Sequence, residues 1–181
     1  MAGAAELGAG DAEAAERELR GGYQLFEAMG EKGVLSTLAA FLAEALYRQG
    51  RDEEAEELAL LSERAASDDD AASQIAWRST LGKVLARRGD LGRGESLTRQ
   101  AVHIAEETDF LTMQADARLA LAEVIALGER PAVEAEGIVR EALELYERKG
   151  NRSGAARAGA LLGEGGAVRA VAGLDGAHEG V

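Results

Sequence analysis

The sequence predicts an all-α fold built from stacked helix pairs, and three observations carry that expectation. One phrase recurs: Leu42-Ala43-Glu44-Ala45-Leu46 before Gly50, Leu81-Gly82-Lys83-Val84-Leu85 before Gly89, and Leu121-Ala122-Glu123-Val124-Ile125 before Gly128, with starts 39 and 40 residues apart. A recurrence at this period marks one supersecondary unit copied along the chain, each copy covering apolar surface that its neighbour cannot bury alone. The chain has a single proline, Pro131, and almost no β-branched alternation at period two, which argues against strands. Aromatic residues make up 4% of the 181 residues, so small and aliphatic side chains have to build the core and let helices approach closely.

Each element follows from local pattern. Residues 1–10 are rich in Ala and Gly, carry no helical face long enough to pack, and are expected to be disordered. From Asp11, Ala15, Leu19, Gly22, Tyr23 and Phe26 recur at intervals of three and four, which predicts a helix over 11–29, with Gly30 and Gly33 bracketing a turn. The second helix, 34–49, places Leu35, Leu38, Phe41, Leu42, Ala45 and Leu46 on one stripe and stops at Gly50. The third opens with Asp52-Glu53-Glu54 in its first turn, where the helix dipole favours acids, and points Ala55, Leu58, Leu61 and Ala65 inward. Asp68-Asp69-Asp70 breaks the chain and supplies an N-cap carboxylate to a fourth helix over 71–88.

The fifth helix, 90–107, turns Leu91, Leu97, Ala101 and Ile104 inward, and Thr108-Asp109 ends it. A sixth spans 110–127 and closes near Gly128. The seventh starts at Pro131, a residue suited to a first helical turn, and carries Ile138, Ala142, Leu143 and Leu145 to Gly150. Residues 151–162 can form a capping helix. The expected organisation is a helical repeat domain over 11–162 followed by a flexible Gly/Ala-rich tail over 163–181.

The second helix of each unit adds an independent match. Small residues lie seven apart at Ala55 and Ser62, Gly94 and Ala101, Ala135 and Ala142, and Ala15 and Gly22. A step of seven returns to nearly the same helix face, so these positions mark where another helix comes close.

Leu81-Gly82, the turn glycine Gly89 and the small residues Gly94 and Ala101 sit where the tetratricopeptide repeat pattern places such residues, and the chain resembles that family over roughly residues 11–160. Its units of 39 to 40 residues exceed the family's usual 34 or so, and they lack a unit-ending proline. The resemblance implies a right-handed α-solenoid of antiparallel helix pairs, about seven helices plus the capping helix. It implies a non-enzymatic protein–protein interaction scaffold. Phrases such as Glu141-Ala142-Leu143-Glu144-Leu145-Tyr146 and Ala43-Glu44-Ala45-Leu46-Tyr47-Arg48 are similar to the C-terminal arrays of large bacterial signalling regulators, where an ATPase domain and often a nucleotide-cyclase domain precede them. The alternative expectation is therefore a C-terminal regulatory or sensor fragment of an adenylate or guanylate cyclase or an ATPase-type transcriptional regulator.

In such arrays the first helices of successive units line the inner curve. Matching positions puts Thr37, Glu44, Tyr47 and Arg48, then Ser79, Lys83 and Arg87, then Asp116 and Glu123 there. That surface would alternate in charge and expose Tyr47 as an anchor for a protein or peptide partner. An unpaired helix at the N-terminal end would leave an apolar face open to homodimerisation.

Other chemistries find little support. The formal net charge of −13, with no cluster of Lys and Arg to overrule it locally, argues against nucleic acid. With no cysteine there is no thiolate nucleophile, disulfide or thiolate metal site, which fits a reducing cytoplasm. His103 and His178 lack partners at ligand spacing, and Asp68, Asp69 and Asp70 lack the alternating ligands, glycine and distal glutamate of a calcium loop. Gly163, Gly165 and Gly166 lack the Gly-Lys-Ser/Thr of a phosphate loop, and Trp77 reads as a packing residue. No catalytic residue, metal or cofactor is expected. The first residues carry no basic segment followed by an apolar run, and Glu44 interrupts the most apolar helix, so the chain reads as cytoplasmic and not membrane-bound.

Overall fold

The computed structural model describes residues 7 and 8, 10–30, 32–128 and 132–163. The described residues form eight α-helices: α1 (Ala12–Met29), α2 (Lys32–Arg48), α3 (Asp52–Ala65), α4 (Ala71–Arg87), α5 (Leu91–Glu106), α6 (Leu111–Leu127), α7 (Ala132–Lys149) and α8 (Arg152–Gly163). The fold is all-α, with boundaries close to those the sequence predicts. Pro131 and residues 164–181, expected to open the seventh helix and to form the tail, lie outside the described residues.

Backbone chemistry at the helix ends explains the punctuation. Asp11, Asp70 and Asp90 cap α1, α4 and α5 by accepting the amides of Ala14, Ser73 and Arg93, and Asn151 caps α8 by accepting that of Gly154. Gly50 and Gly89 take φ of 75° and 94°, a left-handed conformation that only glycine adopts cheaply. The amide after each returns to a carbonyl of the preceding helix, Arg51 to Leu46 and Asp90 to Leu85, so α2 and α4 end in the same αL-capped exit. Gly33 differs from its expected role, because α2 already starts at Lys32 and the turn is made at Gly30, φ 73°.

Each helix packs on the next, and α4 also lies against both α2 and α6. The closest approaches run along small residues. In α3 the fully buried line is Ala55, Ala59 and Ser62, while Leu58 and Leu61 are half-buried and Ala65 is exposed. In α5 it is Gly94, Thr98, Ala101 and Ala105. A Cβ added to Gly94 would stand 2.6 Å from the Gly82 carbonyl oxygen and 2.9 Å from the Ala86 Cβ, and one added to Gly82 would stand 2.7 Å from the Thr98 Cγ2. These two glycines let α4 and α5 touch backbone to backbone. Trp77 is buried with Ala40, Ala43, Ala59, Leu81 and Leu85, a packing residue shared by α2, α3 and α4.

Gly94→Ala should therefore cost about 1 to 3 kcal/mol, whereas Gly137→Ala in α7, where an added Cβ meets nothing within 4 Å, should gain about 0.5 to 1 kcal/mol. Urea unfolding monitored by circular dichroism separates the two, and equal effects would discount the contact. Ser62 is fully buried and its Oγ has no hydrogen-bond partner among the described residues, so Ser62→Ala should raise stability by about 1 kcal/mol in the same assay.

Candidate functional site

One period of the repeat carries a side chain from a given turn of one helix to the equivalent turn of the helix beside it. Glu44 on α2, Lys83 on α4 and Glu123 on α6 thus fall in a row. The Lys83 ammonium lies 2.7 Å from Glu44 Oε2 and 3.9 Å from Glu123 Oε2. Arg48 Nε, at 2.8 Å, and the Thr80 hydroxyl, at 2.9 Å, also donate to the Glu44 carboxylate. Burial by itself would raise the Glu44 pKa, but the charges and hydrogen bonds of Lys83 and Arg48 outweigh it and hold the carboxyl well below the usual carboxylate range.

The row continues around Tyr47. Its ring lies beneath two cations, with the Arg87 guanidinium carbon 3.8 Å and the Lys83 nitrogen 4.3 Å from the centroid. Its hydroxyl donates to Glu123, and Arg87 reaches Asp52 at 2.8 Å and Glu123 at 3.6 Å. Tyr47 is consequently 3% exposed, not the exposed anchor that the sequence led us to expect. Burial and the facing Glu123 carboxylate push its phenol pKa up, so it stays a neutral donor.

A second polar knot closes the far end. The Tyr146 hydroxyl donates to Asp116 at 2.5 Å and accepts from Arg157, whose guanidinium also reaches Asp116 at 2.6 Å. Gly154 permits this arrangement, since a Cβ there would sit 2.5 Å from the Tyr146 ring.

Between the two knots lies a cavity of about 730 Å³. Glu44, Tyr47, Arg48, Ser79, Lys83, Arg87, Asp116 and Glu123 all line it. Thr37 does not. Its hydroxyl is 2.8 Å from the Ser73 Oγ and 3.5 Å from Asp70, so it belongs to the polar cluster at the start of α4. The apolar part of the wall comes from residues such as Phe41, Ile75, Met113, Leu119 and Leu161.

Position matching missed Arg157 and Leu7. Arg157 lies 41 residues beyond Asp116, close to one period, and that spacing was a usable signal. Leu7 lies in the stretch expected to lack packing, yet it is 6% exposed, and no repeat spacing points to it.

Outside the cavity, α1 presents Leu25 and Met29, 59% and 62% exposed, while the stripe expected from its sequence, Ala15, Leu19, Tyr23 and Phe26, packs against α2. His103 is exposed on α5, and His178 lies outside the described residues. Among the described residues no helix is long and apolar enough to cross a membrane. No protein-family model matches the chain, and none of the curated proteins matches it.

Two carboxylates held by cations make a pH prediction. Glu16, which accepts from Gln49, Arg20 and Arg51, is lowered from 4.5 to about 2 despite the opposing effect of burial, and Glu44 is lowered as well. A folded-state pKa below the unfolded one gives stability that is complete above the unfolded value near 4.5 and is lost as pH falls toward 2. Glu44→Gln, which removes the main partner of a buried ammonium, should cost about 3 kcal/mol at pH 7. The gap to the wild type should narrow below about pH 4.5 in urea titrations, and a pH-independent gap would contradict the ion-pair account.

Proposed function

We propose that the chain is a non-enzymatic scaffold, an α-solenoid of tetratricopeptide type, that binds a peptide segment of a partner protein in the groove lined by α2, α4, α6 and α8. The observation that carries this reading is the convergence of side chains one period apart on a single cavity of about 730 Å³. That volume falls within the usual range for ligand sites, and apolar walls with a few fixed polar groups suit a peptide side chain and its backbone. The side-by-side packing of α2, α4 and α6 supports the solenoid reading, because in a tandem array the first helices of successive units form one wall.

Binding rather than catalysis fits the state of the carboxylates. Glu44 is held ionised by Lys83 and Arg48, which makes it a poor proton donor near neutral pH. Asp116 accepts from Tyr146 and Arg157, and Glu123 accepts from Tyr47. A rigid network of this kind holds the groove in one shape before any partner arrives, which lowers the ordering cost of association.

Charge reversal at Lys83 is a poor probe, since it would set a third carboxylate between Glu44 and Glu123 and threaten the fold. Thr112→Trp is better, because Thr112 lines the cavity and an indole there takes up its volume. Peptides selected from a displayed random library on the wild-type chain should lose about tenfold or more in affinity for the Thr112→Trp variant, equivalent to about 1.4 kcal/mol, with helicity unchanged by circular dichroism. Failure to select any peptide, or equal affinity for both proteins, would refute the groove as the binding surface.

A further inference from the structure

Resting on the groove reading above, we propose that Leu7 and its neighbours are an internal surrogate for the partner. The partner is then a peptide that offers a leucine-type side chain and the main-chain carbonyl beside it, and it binds by displacing them. Leu7 precedes α1 yet is buried in the cluster that contains Leu42, Leu46, Tyr47 and Val84 from α2 and α4. Its carbonyl oxygen accepts from Arg48 Nη1 at 2.8 Å, the same guanidinium that braces Glu44 through Nε. Gly8 and Gly10 line the cavity beside it, and a Cβ on Gly8 would stand 4.0 Å from the Ser153 Oγ of α8. Leu7 and Gly8 thus lie between Arg48 on α2 and Ser153 on α8.

Its attachment is built from interchangeable parts. A hydrogen bond from Arg48 to a main-chain carbonyl can be made by any peptide, and the apolar slot selects the side chain that accompanies it.

The probe is a fluorescein-labelled synthetic peptide of residues 4–14, titrated against the full chain by fluorescence polarisation. Leu7→Asp in the chain vacates the slot and should tighten probe binding about tenfold or more, since burying a leucine is worth at least that factor. A second variant removes dependence on that substitution. The chain has no cysteine, so Gly8→Cys with Ser153→Cys introduces its only two thiols at a separation a disulfide can span with small adjustment. Oxidation should fasten the segment in place and weaken probe binding at least about tenfold relative to the reduced form, with dithiothreitol restoring it. Equal affinity of the wild type, the Leu7→Asp chain and both redox forms would overturn the surrogate, as would a probe that binds none of them. In either case the display-selected peptides decide the parent reading separately: if they still lose affinity for Thr112→Trp, the groove stands without its surrogate.

Discussion

A buried ammonium organises this protein. Lys83 is 5% exposed, and a desolvated cation in a helical core is tolerable only if carboxylates meet it with good geometry. Glu44 from α2 and Glu123 from α6 meet it on either side, so one charge fixes the relative placement of three helices. An apolar row of similar size would pack α2, α4 and α6 with more freedom to slide. The ionic row admits one register, and Tyr47, Arg87 and Arg48 are arranged by it in turn.

Close approach within the helix pairs rests on small residues. The line of Gly82, Gly94, Ala101 and Ala105 removes the side-chain bulk that would hold α4 and α5 apart. Where bulk does appear, as at Tyr146, a glycine on the adjoining helix makes room for it.

Helices and their ends were legible because they are local. Periodicity, acidic caps and glycine exits need only a few neighbouring residues to act, and α1 to α8 follow them. Much of the groove was legible too, since side chains one period apart land on adjacent helices whatever their partners, as Glu44, Lys83 and Glu123 do. What position matching could not convey was depth. It placed Tyr47 on the right wall but not under two cations, because burial there depends on Arg87 and Glu123 arriving from separate helices. It placed Thr37 one turn too generously, where the hydroxyls and carboxylate at the start of α4 hold it. In α3 and α5 the small pairs Ala55 and Ser62, Gly94 and Ala101 were legible as the close-approach line, whereas Leu58, Leu61, Leu97 and Ile104, expected inward, are only half-buried. Leu7 has no counterpart in the repeat, so nothing periodic could reveal it.

The hydrogen bond from Tyr47 to Glu123 joins residues 76 apart, and that between Arg157 and Asp116 joins residues 41 apart, while most of the packing is between consecutive helices. Neighbouring pairs can condense early because little chain entropy is lost in closing a short loop. The polar lining has no such shortcut. It comes together only after several pairs have docked, so the groove is the last part of the molecule to mature and the first to be erased when either end frays.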